Sequence, residues 1–428
     1  MYGQIAVRQI TFRNYSQHRF ARTKQKKRGF YEDRDSHWTA TVMNKFWKIV
    51  GVSSITTQKS RGGRITNEIS KLGLIYSGLV FVVYLSFGCL TIKVTYSEFK
   101  KSDMAGSIAL FFDVVSLVSI GVMVFLSAPN KCKNINLINS RMVNIDHMLQ
   151  TRIRERQASS IAFVWITYLT LLIVCDRMVS QINDNSYFFF PLFISYYHVT
   201  SVGLQFMEIS MCIKERFKIL NRKLELIVRR VNSKSRIITA ILVPTVETIR
   251  ISDVNDQQGT IAMMSDIHWM LCDMVEKAND LFGAQVLAVM ICIFIHNIVT
   301  PYFFFLNLMY PEGESLLATM HLVSQFLWII THIMELLVIV LPCAATSNEA
   351  NVTSKIVCKL LNRHLTQATR QQLETFALQL THHRAEFSAY GMFKLDLPVI
   401  TSIAGAVTTY LVILIQFQST DLPLPQKP

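Results

Sequence analysis

The sequence predicts an all-α, polytopic membrane protein with seven transmembrane helices, its N-terminus inside and its C-terminus outside. Three observations predict it. Of 428 residues, 51% are hydrophobic and only 17% charged, against about 25% charged in soluble domains. The charges are squeezed between seven apolar runs of roughly the 20 residues that a helix needs to cross the hydrocarbon core of a bilayer. Lys and Arg alternate in density from one connecting segment to the next, as they do when basic residues resist translocation.

The spans follow in order. Span 1 is Leu72–Ile92, span 2 Met104–Ala128, span 3 Ser160–Cys175 and span 4 Phe188–Met207. Span 5 is Leu281–Met309, span 6 Ser315–Leu341 and span 7 Leu397–Ser419. Before span 1 there are 15 Lys and Arg, and the segments after spans 2, 4 and 6 hold 6, 11 and 6. These segments carry 38 of the 43, and the alternate segments carry only Lys93, Lys100, Lys101, Arg177 and Lys427. The N-terminus is therefore expected inside, and an odd span count places the C-terminus outside. No apolar core of a signal peptide precedes residue 30, so span 1 is expected to act as its own insertion signal.

Three regions follow. Residues 1–71 read as a basic cytoplasmic tail, residues 72–419 as the transmembrane domain, and residues 420–428 as an extracellular tail. Within the second, residues 213–280 and 342–396 are cytoplasmic extensions. Phe217, Leu220, Leu224 and Ile227 recur at helical spacing beyond span 4, as do Ile356, Leu360 and Leu361 beyond span 6. Spans 4, 5 and 6 are thus expected to project inward and meet there. The net charge of +14 resides largely in this inner material, including the run Arg22–Arg28. Its expected partner is the anionic face of the lipid bilayer, with no nucleic acid involved.

Chemistry of the enzymatic kind is not expected. There is no Gly-rich phosphate loop, nucleophile motif or metal-spaced His/Cys cluster, and the adjacent pair His382-His383 cannot share one helix face. No catalytic residue, cofactor or metal is therefore assigned. None of the eight cysteines sits in an outer loop, which argues against a disulfide framework. The sequons at Asn14 and Asn351 fall on the inner side, where they stay unmodified.

Polarity inside the spans is more informative, because a polar group in hydrocarbon must face a bundle interior or a water-filled cavity. Asp113, Glu208 and the pair His296-Asn297 are such groups. Span 6 carries a stripe of His321, Gln325, Trp328, His332 and Glu335, on one helix face. Such a stripe suits a cavity wall or interhelical hydrogen bonding equally. Span 4 offers Tyr196, Tyr197 and His198 at a similar depth, and span 5 offers His296, Asn297 and Tyr302. With His321, Gln325, Trp328 and His332, these form a candidate ligand-binding set with aromatic walls and few polar groups. No charge lies among them, which favours a neutral ligand over an anion. Span 7 carries a small-residue face of Ser402, Gly405, Thr409, Val412 and Gln416, suited to close helix contact or to the wall of a narrow pore.

Thr409–Phe417 reads T-Y-L-V-I-L-I-Q-F, which resembles the last-helix signature of insect gustatory receptors. The similarity extends to F-S-A-Y-G at Phe387–Gly391 and to Pro342-Cys343 closing span 6. Gln325, Trp328 and His332, with Gly203-Leu204-Gln205, Arg216-Phe217 and Leu220-Asn221, resemble the fructose-receptor branch. One departure is Phe188-Phe189-Phe190-Pro191, where that branch has a pocket Trp before the proline, and it leaves sugar against bitter compound open. The resemblance implies a tastant-gated, non-selective cation channel in the plasma membrane of sensory neurons. It also implies a homotetramer, or a heteromer with co-receptor subunits of the same family. Span 7 of each subunit would line one pore, with Thr409, Ile413, Gln416, Phe417 and Asp421 as pore and gate positions. A pocket in each subunit would take the small-molecule tastant.

Two other classes compete. A G-protein-coupled receptor would have to be inverted, and Asp176-Arg177 lies at the outer end of span 3 rather than the inner. A transporter would show repeated halves and broken helices, for which Pro301 is a lone candidate. The charge asymmetry generates a direct expectation. An epitope tag at the C-terminus is stained on intact cells, and one at the N-terminus only after permeabilisation. A C-terminal tag hidden on intact cells, or glycan on Asn351, would contradict this topology.

Overall fold

In a computed structural model the described residues are 38–51, 55–59, 65–99, 104–151, 156–181, 190–240, 247–309, 316–363 and 365–421. They form helices α1 (Trp38–Ile49), α2 (Lys71–Phe99), α3 (Met104–Met148), α4 (Arg156–Gln181), α5 (Phe190–Ala240), α6 (Glu247–Met309), α7 (Leu316–Leu361), α8 (Gln367–His382) and α9 (Leu397–Asp421). Two antiparallel hairpins, β1–β2 (Ile55–Lys59, Ile65–Ile69) and β3–β4 (Ser388–Ala389, Phe393–Lys394), are the described strands. Spans 1 to 7 are α2, α3, α4, α5, α6, α7 and α9 in turn. The protein is thus a polytopic helical membrane protein.

Five of these helices, α2, α4, α6, α7 and α9, qualify as spans by length and hydropathy alone. Of the other two, α5 is the less apolar. In α5, Tyr196, Tyr197 and His198 lower the hydropathy of a stretch that has no Asp, Glu, Lys or Arg before Glu208. In α3, the apolar stretch Val114–Met123 is continuous with a polar inner half.

Helix length dictates the architecture. At 51, 63 and 46 residues, α5, α6 and α7 are about 75, 95 and 70 Å long. The hydrocarbon core takes up roughly 30 Å, so each continues well beyond the membrane. There they pack with α3 and α8 around a dense core: Phe217, Leu220 and Leu224 of α5, Ile267, Leu271 and Phe282 of α6, Val357 and Leu360 of α7, and Leu373 and Phe376 of α8. The large exposed hydrophobic side chains, by contrast, are mostly in the spans, where lipid covers them.

Polar pairs fix the register of this inner bundle. Arg216 of α5, fully buried, donates to both carboxylate oxygens of Asp146 of α3 at 2.9 and 2.8 Å, and to the carbonyl of Cys212 at 2.8 Å. Asn221 of α5 donates to the backbone and side chain of Glu349 and accepts from Thr353 Oγ1 at 2.7 Å. Arg141 of α3 pairs with Asp273 of α6. The β3–β4 turn holds Tyr390 and Gly391 at φ of 53° and 72°. The backbone of Tyr390 lies so near Gly283 that a Cβ there would meet it at 3.1 Å. The F-S-A-Y-G sequence is therefore a tight hairpin docked on a glycine of α6.

The short helix α1 packs on α4 and α5 through Met43 and Trp47, both buried. Its end is tied to the bundle twice: Tyr76 donates to the carbonyl of Ile49 at 2.8 Å, and His198 Nε2 lies 3.2 Å from the carbonyl of Val50. Tyr84 of α2 lies against Gly121 of α3, where a Cβ would overlap its ring, and shares a 2.7 Å hydrogen bond with Ser195 of α5. Pro301 and Pro342 lie inside α6 and α7 without ending either helix. Past Pro342, Thr346 Oγ1 donates to the carbonyls of Pro342 and Ser210 at 2.7 and 3.0 Å.

Candidate functional site

Four of the ten sequence-predicted ligand residues meet as a ring cluster between α5, α6 and α7. Tyr196 lies with its centroid 4.5 Å from Trp328, 5.4 Å from His296 and 5.9 Å from His332. His296 and His332 are stacked at 4.6 Å, and Trp328 follows His332 at 5.7 Å. Three of the four are buried, with Tyr196 half-buried. The α7 stripe descends into this cluster. His321 is exposed at the outer end, its Nε2 3.2 Å from Nε2 of half-buried Gln325. Trp328 and His332 follow one and two turns further in.

The remaining positions lie apart. Tyr197 turns to α4, donating to Thr170 Oγ1 at 3.0 Å. His198 turns to α1 and α2, its ring 5.2 Å from Tyr84. Consecutive helical residues point about 100° apart, so of three in a row only Tyr196 can face α6 and α7. Asn297 is buried and donates to its own helix at the carbonyl of Ile293, 2.7 Å away. Tyr302 is fully buried beside Phe303, with centroids 5.5 Å apart.

A small cavity, with room for about one water, lies one turn inward of the rings. It is lined by Glu335, Thr200, Trp165 and apolar residues of α5, α6 and α7. Thr200 Oγ1 donates to Glu335 Oε1 at 2.8 Å, and His332 Nδ1 stands 3.5 Å from Oε2. Glu335 continues the α7 stripe but was not in the predicted ligand set. Thr200 stands one turn from Tyr196, which is the signal that could have found it.

The second candidate surface is α9. Its half-buried side, including Ile400, Ile403 and Val407, faces α6 and α7, and Phe294 of α6 meets Tyr410 edge-on at 6.0 Å. Ser402, Gly405, Thr409, Val412, Ile413 and Gln416 are exposed on the opposite side. None of the span Leu397–Gln416 is buried within the subunit. The hydroxyls of Ser402 and Thr409 donate to the carbonyls of Pro398 and Gly405 at 3.1 and 3.0 Å, so their lone pairs turn outward. The side chains of Phe417, Asp421 and Asp113 lie outside the described residues.

A ring cluster between α5, α6 and α7 and an uncovered helix face on α9 are thus the two candidate sites. Residues 41–421 match the 7tm chemosensory receptor family, and the chain belongs to it, among the insect gustatory receptors. The Drosophila melanogaster gustatory receptor for sugar taste 43a is 24% identical over 421 residues, covering 87% of this chain and 96% of the relative. The insect olfactory receptor OR5 from Machilis hrabei in complex with eugenol shares the fold, with a TM-score of 0.58 at 12% identity over 89% of this chain and 98% of that one. The same receptor in a structure without eugenol in its description gives 0.50 at 13% identity, over 90% and 100%. The relatives are chemosensory receptors rather than enzymes.

The ring cluster yields an expectation. Trp328→Ala and Gln325→Ala shift the dose–response of calcium signals to higher ligand concentration by roughly 5- to 150-fold, the equivalent of about 1–3 kcal/mol. Tyr197→Phe, which keeps its ring but points at α4, leaves the midpoint in place. Unchanged midpoints in both former variants, at matched surface expression, would place the ligand elsewhere.

Proposed function

We propose that this chain is a tastant-gated, non-selective cation channel of the plasma membrane of sensory neurons. It assembles as a homotetramer or with related subunits, and α9 of each subunit lines a shared pore. The observation that carries the reading is the orientation of α9. The α7 stripe turns Trp328, His332 and Glu335 into the subunit, whereas α9 turns its small and polar side outward. Lipid is a poor partner for that side, and copies of α9 around an axis supply a wet one.

The chemistry of the face supports cations. With Ser and Thr protons donated to the backbone, the wall presents oxygen acceptors. Gln416 adds an amide ring toward the outer end, Phe417 an apolar constriction, and Asp421 a ring of carboxylates at the mouth. Small size and aromatic walls at the ring cluster support a small organic tastant, a sugar or a bitter compound. An inverted G-protein-coupled receptor would not need α9 to face its own copies, and a transporter would break its helices where α6 and α7 run on.

Cysteine substitution tests this. A cationic thiol reagent applied from outside blocks ligand-evoked current in Thr409→Cys and Gln416→Cys, and leaves Ile403→Cys unaffected. Gln416→Ala raises resting leak, and Asp421→Lys lowers cation conductance severalfold. Wild-type currents in all of these, at matched surface expression, would exclude α9 as the pore wall.

A further inference from the structure

We propose that Glu335 anchors the protonated amine of the ligand, so that this receptor takes a small organic cation with an aromatic or apolar body rather than a polyol. The inference rests on the ring cluster being the ligand site and deepens it.

Glu335 is 5% exposed and lies within span 6, toward its inner end. Its polar partners are the Thr200 hydroxyl at 2.8 Å and His332 Nδ1 at 3.5 Å. Among the described residues no Lys or Arg forms an ion pair with it. A carboxylate removed from water is costly unless a cation meets it, and intramembrane carboxylates commonly mark a ligand or ion path. Beside it stands the His332 ring and, stacked behind, that of His296, whose Nδ1 lies 3.2 Å from Cys292 Sγ.

The surroundings complement an ammonium. Glu335 lines the small cavity, whose other walls are apolar apart from Thr200. The Thr200 proton is already donated to the carboxylate, so both groups offer acceptors to an incoming N–H. One turn outward stand the rings of Tyr196 and Trp328, packed on each other with centroids 4.5 Å apart, and an aromatic ring attracts a cation. A polyol would need many donors and acceptors around it, and Val199, Leu204, Val289 and Ile293 supply none.

The test is equilibrium binding to the full chain in lipid nanodiscs at neutral pH, with no current measured. The probes are benzylamine, 2-phenylethylamine and 3-phenylpropylamine, each against the alcohol of matching skeleton. At least one amine is expected to bind about tenfold or more tightly than its alcohol. Glu335→Gln, which keeps shape and hydrogen bonding, abolishes that preference, and Glu335→Asp retains part of it. If no amine outbinds its alcohol, or if the preference survives in Glu335→Gln, the proposal is wrong. The wild-type comparison decides even where the Gln variant misfolds. Because binding is read without current, an absent preference is distinguishable from a failure of the pore reading, which thiol block reports.

Discussion

A polar group inside hydrocarbon must find a partner within the protein or face water, and the membrane half of this receptor is arranged around that requirement. Thr200 reaches Glu335, Tyr84 reaches Ser195, and Tyr168 reaches Thr331 at 3.0 Å. Hydroxyls that face no neighbouring helix donate to a carbonyl one turn back in their own helix, as Thr408 does to Ala404 at 2.8 Å. α9 presents such residues, Ser402 and Thr409, outward beside Gly405 and Gln416 along its span. The functional reading starts from that departure, since a helix that satisfies its protons internally and aims its oxygens outward suits a pore wall.

The inner bundle supplies the rigidity on which this arrangement depends. Phe217, Phe376 and Phe387 are fully buried, and the Arg216–Asp146 pair locks α5 to α3. Removing Asp146 would leave the buried Arg216 guanidinium uncompensated, a loss that typically costs about 3–5 kcal/mol. The same helices carry the ligand cluster. α7 alone runs from Leu316 through Trp328, His332 and Glu335 to the inner core at Leu360, unbroken at Pro342. A change in the ring cluster thus has a stiff rod on which to act, and α9 rests against both α6 and α7.

Much of this was legible in the sequence. Twenty-residue apolar runs mark the spans because hydrocarbon thickness acts on composition alone. The α7 stripe was legible because helical period turns spacing into a face, and that face does bring Trp328 and His332 to Tyr196 and His296. Depth was readable but direction was not: Tyr196, Tyr197 and His198 share a depth, yet one turn of helix distributes them to three neighbours. Glu335 stood in the stripe without its significance showing, because that depends on Thr200 and a cavity contributed by other helices. The helix α1 is 12 residues long, below what a span-length hydropathy window detects. The pairing of Gly283 with the Tyr390 turn joins positions far apart in the chain, a contact that neither spacing nor period encodes.

The central claim is that the exposed polar face of α9 is completed by other copies of the same kind of chain. Counting photobleaching steps from a fluorescent protein fused to the N-terminus, at sparse expression in the plasma membrane, tests it. Complexes that bleach in up to four steps are expected when the chain is expressed alone or with tagged family subunits. A population that bleaches in a single step under both conditions, at normal surface expression, would contradict it.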